Sequence, residues 1–180
     1  MRVISGEKRG TKLLALEGED TRPTTDRVKE SLFNIIQWDI PSKKVLDLFA
    51  GSGGLGLEAL SRGAIYACFN DRNPSAVNII NSNVDKLGYA DKCKVCCTDY
   101  LKLLDGTSKY DIIFLDPPYV LDYIDKSLEA ISKNKVLNSD GLIVCETLKD
   151  KKINTSNFLV RKEVCYGITK LMFLEVRSDE

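Results

Sequence analysis

Asp116-Pro117-Pro118-Tyr119 is the segment of this sequence with the most specific chemistry written into it. Two prolines fix the backbone and remove their own N–H donors, so the carbonyls of the turn face no competing donor. An exocyclic amine held in plane by the Asp116 carboxylate and one of those carbonyls would aim its lone pair at an incoming methyl group. Tyr119 offers a ring on which an unpaired or flipped base can stack. Catalysis of that kind rests on orientation and electrostatics, with in-line transfer and no covalent intermediate. The bland alternative is a rigid turn over a buried tyrosine.

A second candidate lies upstream. Asp47-Leu48-Phe49-Ala50-Gly51-Ser52-Gly53, with Gly56, has glycines at the spacing of a dinucleotide fingerprint. Glycine lets the backbone pass close to a ligand, and the helix that follows presents unpaired N–H groups. Asp47 would repel a pyrophosphate, yet it can help hold a cationic amino-acid group, directly or through water. No lysine follows the glycines, so a P-loop is excluded. Alone the turn is weak evidence, because tight strand–helix packing also asks for glycine.

Asp71, with Arg72 beside it, falls at the end of the next strand, where ribose hydroxyls need acceptors. Helix capping ahead of Pro74 is the competing role. Asp99-Tyr100 follows a third strand, and its carboxylate can take a hydrogen from an adenine amine or simply make a turn. Carboxylates at three strand ends describe a nucleoside cofactor with an amino-acid tail. S-adenosylmethionine fits that description better than NAD.

These residues need a frame. From Lys44 onward, apolar runs at 45–49, 65–69, 93–97, 111–115 and 142–145 read as strands. Helices fall between them: one from the glycine turn through Leu60, one from Pro74 to Leu87 closed by Gly88, and one over 122–133. A turn at Ser139-Asp140-Gly141 precedes the fifth strand. Residues 158–166 and 168–176 form an antiparallel pair across Gly167. Upstream, Thr24 or Thr25 caps a helix over 24–38, with Val28, Leu32, Ile35 and Ile36 on one face and Pro41 beyond its end. Residues 1–23 form a hairpin or arm ahead of the main domain, 24–180. The class is α/β, parallel strands with helical crossovers that close on an antiparallel hairpin.

Composition narrows the chemistry. The chain has 180 residues, 26 basic and 26 acidic side chains, and no histidine. A Ser-His-Asp triad, a Cys-His pair and histidine zinc ligation are therefore excluded. Six cysteines include one CxxC at Cys93 and Cys96, on an expected strand and without a second pair. They read as buried small hydrophobes in a reducing compartment, with no metal bound. No apolar run spans a bilayer, and glycines and charges stand where a signal peptide needs an apolar stretch, so a cytoplasmic protein is expected. Zero net charge argues against a general nucleic-acid coat but leaves a local patch open; the first 30 residues interleave seven basic side chains, among them Arg2, Lys8, Arg9 and Lys12, with six acidic ones, so composition alone leaves the partner open.

Asp116-Pro-Pro-Tyr119 resembles the D/N-P-P-Y/F motif of amino-group methyltransferases, which act on adenine N6, cytosine N4 or guanine N2. The resemblance widens with Met1-Arg-Val-Ile-Ser-Gly6, the block Thr21-Arg-Pro-Thr-Thr-Asp-Arg-Val-Lys-Glu-Ser-Leu-Phe-Asn-Ile-Ile36, and Val45-Leu-Asp-Leu-Phe-Ala-Gly-Ser-Gly53. With Glu58-Ala-Leu-Ser-Arg-Gly63 and Tyr166-Gly-x-Thr169 it covers essentially the whole chain. This set is similar to the bacterial 16S rRNA guanine-N2 methyltransferase family RsmD.

The resemblance implies a Rossmann-like class I S-adenosylmethionine-dependent methyltransferase, with a mostly parallel seven-stranded sheet and a C-terminal antiparallel hairpin. It implies that Asp47 and the turn Ala50, Gly51, Ser52 and Gly53 line the methionine end of the cofactor. Asp71 would hold the ribose, with an aspartate where the family more commonly has glutamate, and Asp99 would contact the adenine; Phe49, Arg72 and Tyr100 beside these residues are further cofactor-binding candidates. Asp116, Pro117, Pro118 and Tyr119 would hold the target guanine. Arg2, Arg9, Arg22, Thr24, Asp26 and Arg27 would meet RNA, although capping and ion pairing of the first helix compete for several of them. The implied substrate is 16S rRNA within the small ribosomal subunit or a precursor. Three other classes share parts of the pattern. A DNA amino-methyltransferase needs a recognition domain for which this length leaves little room. A protein or small-molecule methyltransferase has no need of the stacking tyrosine. A non-catalytic assembly factor of the same fold would be expected to have lost Asp47, Asp71 or Asp116.

Overall fold

In the computed structural model, the residues described are 1–17, 26–119 and 122–177. Strand β1 (Lys44–Asp47) is buried from Val45 onward and lies inside a seven-stranded sheet. It pairs in parallel with β2 (Tyr66–Asn70) on one side and β4 (Tyr110–Leu115) on the other. β3 (Cys93–Cys96) extends the sheet beyond β2, and β5 (Leu137–Leu148) extends it beyond β4, both in parallel. Strands covered on both faces read as near-continuous apolar runs, which is why these segments stood out in the sequence.

The tail forms the expected antiparallel pair, β6 (Phe158–Tyr166) and β7 (Thr169–Val176). The final strand β7 also pairs antiparallel with β5, so the order is β3-β2-β1-β4-β5-β7-β6. Strand order reverses between β1 and β4, which opens a crevice at their carboxyl ends. The sheet is therefore α/β and mostly parallel, as the strand–helix alternation predicts.

Helices α1 (Asp26–Ile35), α2 (Gly54–Ser61) and α3 (Pro74–Leu87) contribute to one apolar cluster. Phe33 of α1 meets Phe114 of β4 there, with ring centroids 5.6 Å apart. Helices α4 (Tyr100–Leu104) and α5 (Tyr123–Asn134) contribute to the other cluster, through Leu104, Ile124, Leu128 and Ile131. Each such large apolar side chain contributes about 1.5–3 kcal/mol when fully buried.

Residues 1–17 are tied to this body. Val3 and Leu13 enter the first cluster, flanking an antiparallel bridge between Arg2 and Lys12. Glu58, fully buried on α2, accepts hydrogen bonds from Ile4 N (2.8 Å) and Ser5 N (3.0 Å). Lys29 Nζ approaches the same carboxylate at 3.2 Å and donates to Arg2 O at 2.6 Å, and Arg62 Nε completes the cluster at 2.8 Å. Burial pulls the Lys29 ammonium below its usual pKa, and Glu58 opposes that shift. Gly6, at φ +85°, lies so close to the Ser61 carbonyl that any Cβ would collide with it.

Three expectations are corrected. Helix α1 ends at Ile35, not Trp38: Asp39 N bonds Ile36 O (2.9 Å), the chain turns Ile40 into the core, and Trp38 is left 87% exposed. The turn expected at Ser139-Asp140-Gly141 lies within β5, whose register shifts so that Tyr110 pairs Leu137 while Ile112 pairs Leu142. The extra residues bulge out of the ladder. Of the cysteines, only Cys68 and Cys145 are buried; Cys97 and Cys165 are exposed. Burial pushes the Cys68 thiol up to about 11 and raises that of Cys145 as well, so both stay protonated at neutral pH.

Candidate active site

The turn after β1 is held by its neighbours before any ligand arrives. Ala50 N donates to Asn70 O at 2.8 Å, Gly53 N to Ala50 O at 2.7 Å, and Gly51 N to Asp71 Oδ2 at 3.0 Å. Gly51 and Gly53 adopt φ of +56° and +84°, where glycine carries no steric penalty. Gly56 rests against the Phe69 ring so closely that a Cβ would overlap it, which lets α2 lie flat on β2. The spacing of the glycines thus follows from turn geometry and helix–strand packing together.

Asp47 stands behind this turn. It is 1% exposed, and its Oδ2 accepts a hydrogen bond from Gly56 N at 3.0 Å, inside the first turn of α2. Burial pushes its carboxyl up to about 7; the Gly56 N–H opposes that rise and the nearby Asp71 charge adds to it. Asn83 of α3, fully buried, joins turn and arm. It donates to Ser52 O (2.9 Å) and Leu14 O (3.0 Å) and accepts from Leu14 N (2.8 Å).

In front of the turn a cavity opens along the carboxyl ends of the strands. Asp71, Asp99 and Asp116 all line it, as do Phe49, Gly51, Arg72, Tyr100 and Pro118. Its aromatic wall is Phe49, Tyr100 and Tyr123, with ring centroids 5.1 to 5.6 Å apart. Asp71 accepts from Gly51 N and, through Oδ1, from Asn73 N at 2.9 Å. The cap of α3 is Asn73, which accepts from Ser75 N, so Asp71 is not the capping residue. Asp99 does cap a helix: its Oδ1 accepts from Leu101 N (2.9 Å) and Lys102 N (3.3 Å) at the start of α4. Ionised carboxylates have about four acceptor positions, so these bonds leave both aspartates capacity toward the cavity.

Asp116 follows β4 directly. The register that pairs Leu115 with Cys145 brings Asp116 and Glu146 to neighbouring strand positions. Tyr119 OH donates to Glu146 Oε1 at 3.1 Å, and Glu146 is 2% exposed. That bond anchors the far end of the tyrosine ring.

Not every expected residue reaches the cavity. Asp47, Ala50, Ser52, Gly53, Pro117 and Tyr119 lie off its lining, the first four shaping the turn from behind. Of the residues expected to meet RNA, Arg2 and Asp26 form a surface ion pair (3.3 Å), and Arg9 and Arg27 are exposed. Arg22 and Thr24 lie outside the described residues. The cavity also gains Leu16, Asn70, Asn73, Thr98 and Tyr123, which the sequence reading did not single out. Asn70 and Asn73 flank Asp71 in the chain, a proximity signal that was available. Leu16 and Tyr123 arrive from distant segments and carried none.

Comparison with known proteins places this arrangement. The family model described as Conserved hypothetical protein 95 matches residues 1–175. The chain belongs to this family. The Ribosomal RNA small subunit methyltransferase D of Haemophilus influenzae is 38% identical, over 93% of this chain and 90% of that protein. YlbH of Bacillus subtilis is 39% identical over 99% of this chain and 100% of its own length. Among solved structures, Escherichia coli yhhF superposes with a TM-score of 0.87 at 30% identity, covering 99% of both chains. The family match spans the arm, the glycine turn, the Asp-Pro-Pro-Tyr segment and β7 up to Glu175.

Proposed function

We infer that this protein transfers a methyl group from S-adenosylmethionine to the exocyclic N2 amine of a guanine in 16S rRNA. The target stands within the small ribosomal subunit or an assembly precursor. The observation that carries this reading is Asp116 of the Asp-Pro-Pro-Tyr segment lining the same cavity as Asp71 and Asp99. An amine-orienting carboxylate thus shares one space with two acceptors suited to a nucleoside. Family membership and the 38% identity to a small-subunit rRNA methyltransferase support the substrate class.

The residues suit the cofactor. Phe49, Tyr100 and Tyr123 give an adenine an apolar wall, while Asp71 can accept ribose hydroxyls. Gly51 lets the backbone approach, and Asp47 stiffens the turn through Gly56 N. When bound, the cofactor supplies an electrophilic methyl on a sulfonium centre. Asp116 then holds an amine hydrogen, and the carbonyls of the Pro117-Pro118 turn accept another, so the nitrogen lone pair faces the cavity. Tyr119, tethered through its hydroxyl to Glu146, presents its ring to the base. The work is orientation in a site walled by aromatic rings.

The arm, residues 1–23, faces the RNA in this reading through Arg2, Arg9 and Arg22, joined by Thr24, Asp26 and Arg27 at the start of the main domain, residues 24–180, which carries the chemistry. No described helix is long and apolar enough to cross a membrane, and no described group of acidic or cysteine side chains is set to hold a metal ion. The enzyme works in the cytoplasm, where the ribosome is assembled.

The test is methyl transfer from labelled S-adenosylmethionine to small subunits purified from cells lacking this gene, with naked 16S rRNA and DNA in parallel. N2-methylguanosine formed mainly on the subunit is expected. N6-methyladenine or N4-methylcytosine in DNA, with none on the subunit, would overturn the substrate.

A further inference from the structure

Trp38 is the only tryptophan of the chain, and it stands 87% exposed just beyond α1. It heads a surface groove between α1 and β6. Asn34, Gln37 and Trp38 line one wall, and Arg161, Lys162 and Tyr166 the other. Among the described residues the lining carries two cations and no carboxylate. Arg161 is held in place by Asp39 (3.1 Å) and Glu175 (3.5 Å) on its outer side, and Lys162 is exposed.

The groove lies on the same face of the sheet as the anchor of Tyr119. Residues directly paired on neighbouring strands present their side chains to one face. Glu146, which accepts from Tyr119 OH, pairs with Leu171, and Leu171 pairs with Val164. Lys162 pairs with Phe173. Leu171 and Phe173 belong to the apolar cluster that Leu32 and Phe33 of α1 enter and that Tyr166 packs against. Val164 thus stands two strand spacings, about 10 Å, from Glu146. Tyr166, opposite Thr169 and beyond it Leu148, brings one end of the groove to the sheet edge that carries Asp116. Along α1, Arg27, Ser31, Asn34 and Ile35 follow helical spacing, so the wall of the groove continues to the exposed Arg27.

We propose that this groove holds unpaired nucleotides of the RNA strand adjoining the target guanine, with one base stacked on Trp38. This rests on the RNA substrate inferred above. A strand whose guanine is held at Tyr119 must continue across the protein surface, and the groove opens beside that point on the same sheet face. An exposed indole stacks on any base, and a neighbouring cation meets the phosphates. The amides of Asn34 and Gln37 offer donors and acceptors to base edges. Tryptophan, tyrosine and arginine also anchor protein interfaces, so a ribosomal protein is the occupant from which RNA must be told apart.

Because Trp38 has no other tryptophan beside it in the sequence, its indole N–H gives a single NMR resonance that reads the groove directly. The probes are a short single-stranded RNA of mixed sequence and the RNA-free protein fraction of small ribosomal subunits. The resonance should shift with the RNA, shift less at high salt and in Lys162→Ala, and stay in place with the proteins. No shift with RNA, or a shift with the proteins alone, would overturn the proposal. In methyl transfer to small subunits, Trp38→Ala should raise KM about tenfold, with kcat and S-adenosylhomocysteine affinity little changed. Trp38→Phe keeps a ring and should recover most of that loss. A KM for Trp38→Ala within about twofold of wild type would also overturn it. No methyl transfer to subunits by the wild-type chain would refute the proposed function instead, and the NMR titration then decides by itself whether the groove takes RNA.

Discussion

Glu58 and the carboxyl end of β2 are both buried and polar, and they are finished in opposite ways. Glu58 on α2 is enclosed by donors from its own chain: Ile4 N, Ser5 N, Lys29 and Arg62. At the end of β2, Asn70 Oδ1 has no partner, and Asp71 turns toward a cavity with acceptor positions to spare. The first cluster closes the arm onto the body and needs nothing further. The second borders a cavity and keeps acceptor capacity on Asp71.

That contrast can be broken at several points. Asp116→Ala removes the orienting acceptor and should lower turnover by about 100-fold or more, while S-adenosylhomocysteine affinity stays within about twofold. Turnover and affinity falling together would place Asp116 with the cofactor instead. Glu58→Ala leaves Lys29 buried without its carboxylate and should cost about 3 kcal/mol in urea denaturation. A loss below about 1 kcal/mol would mean that the clasp is not a structural element. Asp71→Ala should weaken cofactor binding by about 1–3 kcal/mol in calorimetry with little change in stability. A large stability loss at unchanged affinity would move Asp71 into the same category as Glu58.

Asp47 sharpens the comparison through pH. Its folded-state pKa, raised to about 7 from 3.8, means that the folded chain binds a proton more tightly than the unfolded chain. Its contribution is therefore fully present below about pH 4 and is lost as pH rises toward 7. Asp47→Asn should become progressively more stable relative to wild type across that interval. A difference that stays flat with pH would show that Asp47 is ionised throughout. The smallest effect belongs to the exposed arginines: Arg9→Ala or Arg27→Ala should weaken subunit binding a few-fold and flatten its salt dependence, leaving cofactor affinity unchanged. Unaltered salt dependence would return both to the surface.

Much of this was legible in the sequence, for physical reasons. Asp71, Asp99 and Asp116 could be placed because apolar runs mark strands and the residue after such a run falls at a sheet end, where open α/β folds bind ligands. Pro74 and Gly88 bounded α3 correctly because their backbone restrictions are local. Pairing and exposure are not local. That β7 slips between β5 and β6 depends on which sheet edge is open, and that β5 runs through a bulge depends on its register with β4. Trp38 continued an apolar pattern yet found no core to enter. Leu16 and Tyr123 reach the cavity only once the chain has folded.

The most direct test of the account is a crystal structure with S-adenosylhomocysteine bound. The adenine should lie along Phe49, Tyr100 and Tyr123, the ribose on Asp71, and the sulfur should face Asp116. A nucleoside bound outside this cavity, or a sulfur turned away from Asp116, would contradict the central claim that one space joins the cofactor to the amine-orienting carboxylate.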